Sequence, residues 1–262
     1  MTIPRIIHQI WFQGEKNMES TVNMEKWQAQ HPGWRYKLWD EPKMRLVIST
    51  YYHQYQKKWE SFPHMHQKID FFKYLILDHM GGVYADMDAV PLKPFDSLLD
   101  TDTLVVSTMN ANAIESRLTF GDIQPINNGI ILSPANHPFW KVCLDAILEQ
   151  TGSYYFKQQE ISATTGPEFF SKLIHAYLEA HPGTITILDY TAFEPCYSAD
   201  MFCTVSGDAY ADHQHAQTWL PSWMTWLTKI YYFIKGVIVY FIVMVIVYFI
   251  AGWLVKHYSM KT

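Results

Sequence analysis

Two carboxylates separated by one residue, Asp86 and Asp88 around Met87, stand directly behind Gly81-Gly82-Val83-Tyr84. Side chains at i and i+2 of an extended segment project to the same side of the backbone, so the pair can face one site together. Two such oxygens suit a hard divalent cation, Mg²⁺ or Mn²⁺, which takes one or two protein carboxylates and fills its other positions with phosphate oxygens and water. A bare Asp-x-Asp is more often a solvated turn or a helix cap. The residues that must position this one give it more weight.

Gln67 to Met80 carries Phe71, Phe72, Leu75, Ile76 and Met80 on one broad apolar face, which predicts a helix. Gly81 supplies a left-handed cap and Gly82 extends the turn. Val83-Tyr84-Ala85 then reads as a short buried strand that delivers Asp86 and Asp88 at its carboxyl end, where open α/β sheets bind ligands. Asp70 and Lys73 are i and i+3 neighbours on the helix. Taken alone they read as a surface ion pair worth well under about 1 kcal/mol.

Other short apolar strands, Arg5 to Trp11, Leu104 to Ser107, Gly129 to Leu132 and Thr184 to Leu188, alternate with helical stretches at Met18 to Gln30, Pro138 to Leu148 and Pro167 to Ala180. That alternation predicts an α/β fold. A chain of 262 residues, 49% hydrophobic, can bury one sizeable core, so one catalytic domain is expected. The net charge of −5 and the lack of a basic stripe exclude nucleic acid as a partner. Cys143, Cys196 and Cys203 are odd in number and lack metal spacing, which argues against a disulfide framework.

Several motifs in order carry a resemblance: Ile3-Pro4-Arg5-Ile6-Ile7-His8-Gln9-Ile10-Trp11, His31-Pro32-Gly33-Trp34 with Tyr36-Lys37-Leu38-Trp39, the block from Asp70 to Pro94, Asn127-Asn128-Gly129, His137-Pro138-Phe139, Thr165-Gly166-Pro167, and His213 with Thr218-Trp219. Together they resemble glycosyltransferase family 32, Asp-x-Asp sugar transferases related to the catalytic domains of clostridial glucosylating toxins. The resemblance implies a GT-A-type nucleotide-sugar-binding fold over residues 1–218 and a metal-dependent, retaining hexosyltransferase. Trp11 then stacks on the nucleotide base, a contact commonly worth about 1–3 kcal/mol. Asp70 holds ribose or sugar hydroxyls, Tyr84 and Trp219 join the donor-binding set, and Asn128 lies toward the acceptor. Asp86 contacts sugar and ribose, while Asp88 ligates the metal directly. Lys73 stands where the family usually has Arg; a point charge on a flexible stem neutralises phosphate without gripping it bidentately. The late His completes the metal shell, with His213 first and His215 its rival, and an imidazole favours Mn²⁺ over Mg²⁺. A divalent cation and a cationic side chain stabilise the charge that develops on the leaving diphosphate.

Gly236 to Val255 is a run of 20 uncharged residues bounded by Lys235 and Lys256, long enough as a helix to span a bilayer and apolar all round. It predicts a transmembrane helix over 236–255. With Met1-Thr2 leading straight into the first strand, the tail reads as a C-terminal anchor with the catalytic domain on the cytosolic side of an endomembrane or inner membrane. Before it, Trp219, Trp223, Trp226, Ile230 and Phe233 form an aromatic stripe at helical spacing, which predicts an interfacial helix over 219–235. A site held close to a bilayer suggests a lipid or lipid-linked glycan acceptor. Family members that mannosylate inositol phosphoceramide are nearest in character, so GDP-mannose is the expected donor. The alternatives are a UDP-sugar transferase of surface polysaccharide synthesis and a non-catalytic sugar- or lipid-binding membrane protein.

Overall fold

The computed structural model describes residues 2–12, 18–111, 113–150, 152, 154–196, 203–205, 207–214 and scattered positions between 226 and 250. Its first strand, β1 (Ile6–Ile10), is buried at every position although it contains His8 and Gln9. A buried polar side chain is tolerable when hydrogen-bonded, and both are. His8 Nε2 lies 2.9 Å from Gly81 O, and Trp39 Nε1, which can only donate, lies 3.1 Å from His8 Nδ1. His8 is therefore the neutral Nε2–H tautomer, and burial pushes its pKa down to about 4. Gln9 donates to Asp86 O at 3.2 Å and accepts from Tyr36 Oη at 2.5 Å. The polar residues of β1 thus tie it to the two segments that flank it.

The remaining elements follow as α1 (Met18–Gln30), β2 (Arg35–Trp39), α2 (Glu41–Tyr51), α3 (His53–Ser61), α4 (Met65–Met80), β3 (Gly82–Ala85), β4 (Ala89–Pro91), β5 (Leu104–Ser107), α5 (Ala113–Phe120), β6 (Ile130–Ser133), α6 (Pro138–Leu148), α7 (Lys157–Thr164), α8 (Pro167–Ala180), β7 (Ile185–Leu188) and β8 (Ala211–His213). The main sheet has the order β2-β1-β3-β6-β5-β7 and is mixed, because β6 runs antiparallel to both β3 and β5. β4 and β8 form a separate antiparallel pair. Period-2 alternation sends Tyr84, Ile131, Leu104 and Val106 into one core with α4, α6 and α8, while Val83, Ala85, Ile130, Leu132 and Val105 join Trp27, Phe95 and Phe193 in another. The expected α/β architecture is present.

Where the structure departs from the sequence expectations, a local interaction explains it. Helix α4 starts two residues earlier than the apolar face indicated, because His64 precedes it and donates its backbone N–H to Gln67 Oε1 at 3.3 Å. Gly81 has φ 59° but ψ −166°, so it ends the helix in an extended positive-φ turn rather than the left-handed helical one. Gly82 follows at φ 106°, and a Cβ there would lie 2.6 Å from Ile6 O. The strand that carries the carboxylates thus enters the sheet through a turn that only glycine fits. Helices α2 and α3 lack a strong apolar stripe, and only the Asp40 cap, accepting from Lys43 N at 3.0 Å, and Pro42 mark the start of α2. Cys196 and Cys203 are disulfide-bonded, and Cys143 is the free, buried thiol. The odd count concealed disulfide bonding as well as one buried thiol.

Two compact units divide the chain, one of Met1–Cys196 with Val205–His215 and one of Tyr197–Thr204 with Ala216–Thr262. In the second unit, described positions such as Trp226, Phe233, Ile234 and Ile238 are exposed. Most of 219–235 and 236–255 lies outside the described residues, as do His215 and Trp219. Among the described residues, no helix is long and apolar enough to cross a membrane.

Candidate metal and donor site

Asp86 and Asp88 converge, though not by the alternation of a strand. β3 ends at Ala85, and Ala89 N donates to Asp86 O at 3.0 Å, closing a turn over Asp86-Met87-Asp88-Ala89. The backbone of Asp86 is held in turn, its N–H donating to Gly129 O at 2.8 Å. β4 follows the turn at once and pairs with β8 so that Ala89 faces His213. This short antiparallel register is what brings a residue far along the chain beside the carboxylates. His213 Nε2 lies 3.2 Å from Asp88 Oδ1 and 3.6 Å from Asp86 Oδ2.

Gly129 makes the approach possible. A Cβ at that position would sit 2.8 Å from both Asp86 Oδ2 and His213 Nδ1. The glycine of Asn127-Asn128-Gly129 leaves room for an imidazole to lie against a carboxylate. One ligand atom each from Asp86, Asp88 and His213 lies within 4.8 Å of the others, an arrangement that could hold a metal ion. Oxygen and imidazole donors together fit Mn²⁺ or a similar divalent ion. Burial opposes charge on His213, but Asp88 and Glu194 beside it prevail and hold its pKa well above the ordinary value. The surplus of carboxylates over cations is what a dication would offset.

Glu194 is the residue that sequence reasoning missed. It is fully buried, and its Oε1 lies 3.2 Å from His213 Nδ1. It has no periodicity or motif to mark it; the one hint is a charge between Phe193 and Pro195, an expensive place for it.

A second cluster lies across Tyr84. Lys73 and Asp70 are both buried, and Lys73 Nζ sits 2.6 Å from Asp70 Oδ1. The pair that read as a surface bridge is therefore an interior one, because α4 is packed over most of its circumference. Burial raises the Asp70 pKa, and Lys73 opposes that shift. Asn128 Nδ2 donates to Asp70 Oδ1 at 3.3 Å and to Tyr74 Oη at 3.2 Å, and Thr165 Oγ1 donates to Asp70 Oδ2 at 3.2 Å. Lys73 Nζ lies 5.2 Å from the Tyr84 ring centroid, and Tyr84 Oη donates to Asp86 Oδ1 at 2.5 Å. Tyr84 thus joins the cationic cluster to the carboxylate turn. Trp11, at the carboxyl end of β1, is partly buried and donates its backbone N–H to Trp39 O at 2.8 Å. Asp70, Lys73, Tyr84, Asp86, Asp88, Asn128 and His213 therefore form one connected set of side chains.

Residues 18–105 match the family described as the glycosyltransferase sugar-binding region containing DXD motif. Inositol phosphoceramide mannosyltransferase 1 of Schizosaccharomyces pombe is 30% identical over 183 residues, covering 67% of this chain and 52% of that protein. An uncharacterised glycosyltransferase of Acanthamoeba polyphaga mimivirus is 27% identical over 243 residues, 90% of each chain. The chain spans about half the length of the yeast mannosyltransferases it matches. Among solved structures, PaToxG glycosyltransferase superposes with a TM-score of 0.52 at 17% identity, over 68% of this chain and 71% of that one, a likeness of fold. The matched sugar-binding region contains Asp86-Met87-Asp88 as its DXD motif, and the chain is similar to glycosyltransferases beyond that region as well.

Proposed function

We propose that this protein is a metal-dependent, retaining hexosyltransferase that moves mannose from GDP-mannose to a lipid or lipid-linked glycan such as inositol phosphoceramide. The observation that carries the reading is the Asp86, Asp88 and His213 cluster within a matched sugar-binding region. The named relatives that act on inositol phosphoceramide support the choice of donor and acceptor. Asp88, Asp86 and His213 would hold Mn²⁺ or Mg²⁺, which supplies charge stabilisation to the diphosphate as the glycosidic bond breaks. Lys73, paired with Asp70 at 2.6 Å, holds its ammonium 5.2 Å from the Tyr84 ring centroid on the Asp86 side of the site, where it would oppose charge on the diphosphate. Asp70 would accept from a sugar hydroxyl, held in place by Thr165, by Lys73 and by Asn128, whose Nδ2 serves both Asp70 and Tyr74. Trp11 offers a ring to the base. Retention requires no second carboxylate as base, since a leaving phosphate oxygen can take the acceptor proton.

In this reading residues 1–218 are the catalytic domain and 219–255 the membrane attachment. The uncharged run of 236–255 and the exposed Trp226, Phe233, Ile234 and Ile238 before and within it support attachment, since a row of exposed large apolar side chains marks an interaction surface. The disulfide-bonded Cys196 favours an oxidising compartment for the catalytic unit. The test is donor hydrolysis by the detergent-solubilised chain across GDP-mannose, UDP-glucose, UDP-galactose and UDP-N-acetylglucosamine, with Mn²⁺ and with chelator, then transfer to inositol phosphoceramide in liposomes. Chelator-sensitive release from GDP-mannose and transfer to the liposomal lipid are expected. Release from a UDP-sugar alone overturns the donor, equal transfer to a soluble head group overturns the membrane-presented acceptor, and no turnover by folded protein overturns the reading.

A further inference from the structure

Carboxylates face both ring nitrogens of His213, Asp88 at 3.2 Å and Asp86 at 3.6 Å from Nε2 and Glu194 at 3.2 Å from Nδ1. A dication that engaged Asp86 and Asp88 would leave Glu194 as the carboxylate that holds the ring proton, so the tautomer of the metal-binding ring is set from the Nδ1 side. Glu194 is fully buried, with Oε1 3.2 Å from His213 Nδ1 on the far side of the ring from the Asp86 and Asp88 oxygens. An anionic acceptor at Nδ1 keeps a proton there and leaves Nε2 free to ligate. Glu194 is itself fixed in place. Its Oε2 accepts from Asn110 N at 2.8 Å, its backbone O accepts from Asn110 Nδ2 at 3.1 Å, and its backbone N–H donates to Tyr190 O at 2.7 Å.

Asn127 completes the support. Its Oδ1 accepts from Gly129 N at 2.5 Å and Ile130 N at 3.2 Å, which fixes the orientation of the amide, so Nδ2 must point the other way. There it donates to Glu194 Oε1. The same amide that organises the Gly129 turn therefore aims the carboxylate at His213. A buried carboxylate is costly unless hydrogen-bonded on its open lone pairs, and this one has donors on both oxygens.

We infer that Glu194 is a positioning residue, held by Asn127 and Asn110, that sets the His213 ring and its tautomer for divalent-metal binding at Asp86 and Asp88. The inference rests on the metal-site reading, so the test measures metal binding separately from turnover. Free Mn²⁺ is titrated into the detergent-solubilised full chain and followed by electron paramagnetic resonance, for wild type, His213→Gln, Glu194→Gln and the double variant, with near-ultraviolet circular dichroism as the check on folding. Loss of Mn²⁺ affinity by about 10–100-fold in Glu194→Gln is expected, and the same substitution in the His213→Gln background should cost nothing further, because the residue acts through that ring. A Glu194→Gln chain that binds Mn²⁺ as wild type does, or a further loss in the double variant, overturns the inference. If wild type binds no Mn²⁺, the metal-site reading fails and takes this one with it, whereas wild-type binding with an unaffected Glu194→Gln variant leaves that reading standing. Should Glu194→Gln not fold, isotope-edited histidine NMR of the wild-type chain loaded with Cd²⁺ decides. A proton on Nδ1 with the ion on Nε2 supports the assignment, and the reverse arrangement overturns it.

Discussion

Two polar clusters meet at Tyr84, and they balance charge in opposite ways. On the Lys73 side, one cation and one carboxylate close on each other at 2.6 Å, and Asn128 and Thr165 also donate to Asp70. On the Asp86 side, Asp86, Asp88 and Glu194 surround the single imidazole of His213. The first is neutral by itself and fully buried; the second is over-supplied with negative charge and leaves Asp86 and Asp88 partly open. A closed pair holds architecture, while an unbalanced and accessible one asks for a ligand. The contrast predicts that substitutions on the two sides fail differently, the first in folding as well as in donor binding and the second in metal binding with the fold intact.

The largest expected effect is on the unbalanced side. Asp88→Asn keeps the shape but removes the charge nearest to His213 Nε2, at 3.2 Å. Metal-supported transfer should fall by on the order of 10²–10³-fold, with thermal unfolding close to wild type. A steady-state assay with GDP-mannose beside a melting curve reads both; retained turnover would mean that the carboxylate excess has no catalytic role.

On the balanced side, Lys73→Met should show first in stability. Removing one partner of a buried pair leaves an uncompensated charge, typically at a cost of about 3–5 kcal/mol. Because burial already raises the Asp70 pKa, protonation can relieve part of that loss. The double variant Asp70→Asn/Lys73→Met should recover much of the stability in denaturant unfolding. If the two single losses simply add, Asp70 and Lys73 are not coupled and the pair does not hold architecture.

His8 offers a pH test of the neutral, structural kind of polar residue. Its folded pKa of about 4 lies below the ordinary 6.5, so between these values the unfolded chain binds the proton and the folded chain does not. The stabilisation is complete above about pH 6.5 and is lost as pH falls toward about 4, up to about 3 kcal/mol in all. Unfolding free energy measured across that range should decline less steeply in His8→Gln, whose side chain does not titrate. Identical slopes would show that other groups carry the acid sensitivity.

The sequence was most legible where neighbours along the chain do the work. Asp86 and Asp88, the Gly81-Gly82 turn, and the helices of Met18–Gln30, Pro138–Leu148 and Pro167–Ala180 are each set by local spacing and by caps. It was least legible where short segments pair across distance. The strands β4 and β8 have three residues each, too few for an alternation to register, yet their pairing decides where His213 stands. The resemblance to a family supplied His213 when periodicity did not. Glu194 had neither source, since its meaning comes from Asn127, Asn110 and His213, none of them near it in a pattern. The burial of Asp70 and Lys73 was hidden for a related reason: i and i+3 spacing shows that two residues share a helix face, but not what covers that face.

Gly129 is where the two clusters are divided by a single missing carbon. Asn128 on one side of the peptide donates to Asp70, and Asn127 on the other donates to Glu194. The glycine that follows them gives its carbonyl to Asp86 N and its empty side to the His213 ring. Gly129→Ala would put a methyl 2.8 Å from Asp86 Oδ2 and from His213 Nδ1, closer than van der Waals contact allows. Asp86 is tied to Tyr84 and His213 to Glu194, so neither can retreat without breaking a hydrogen bond. The substitution should therefore separate the imidazole from the carboxylates while leaving the Lys73 pair alone. We expect an overpacking cost of about 1–3 kcal/mol in unfolding and a roughly tenfold loss of Mn²⁺ affinity, the size seen when the groups that orient a ligand are disturbed. A loss of stability with unchanged Mn²⁺ binding would mean that the ion does not use His213, and that Asp86 and Asp88 hold it without the late histidine.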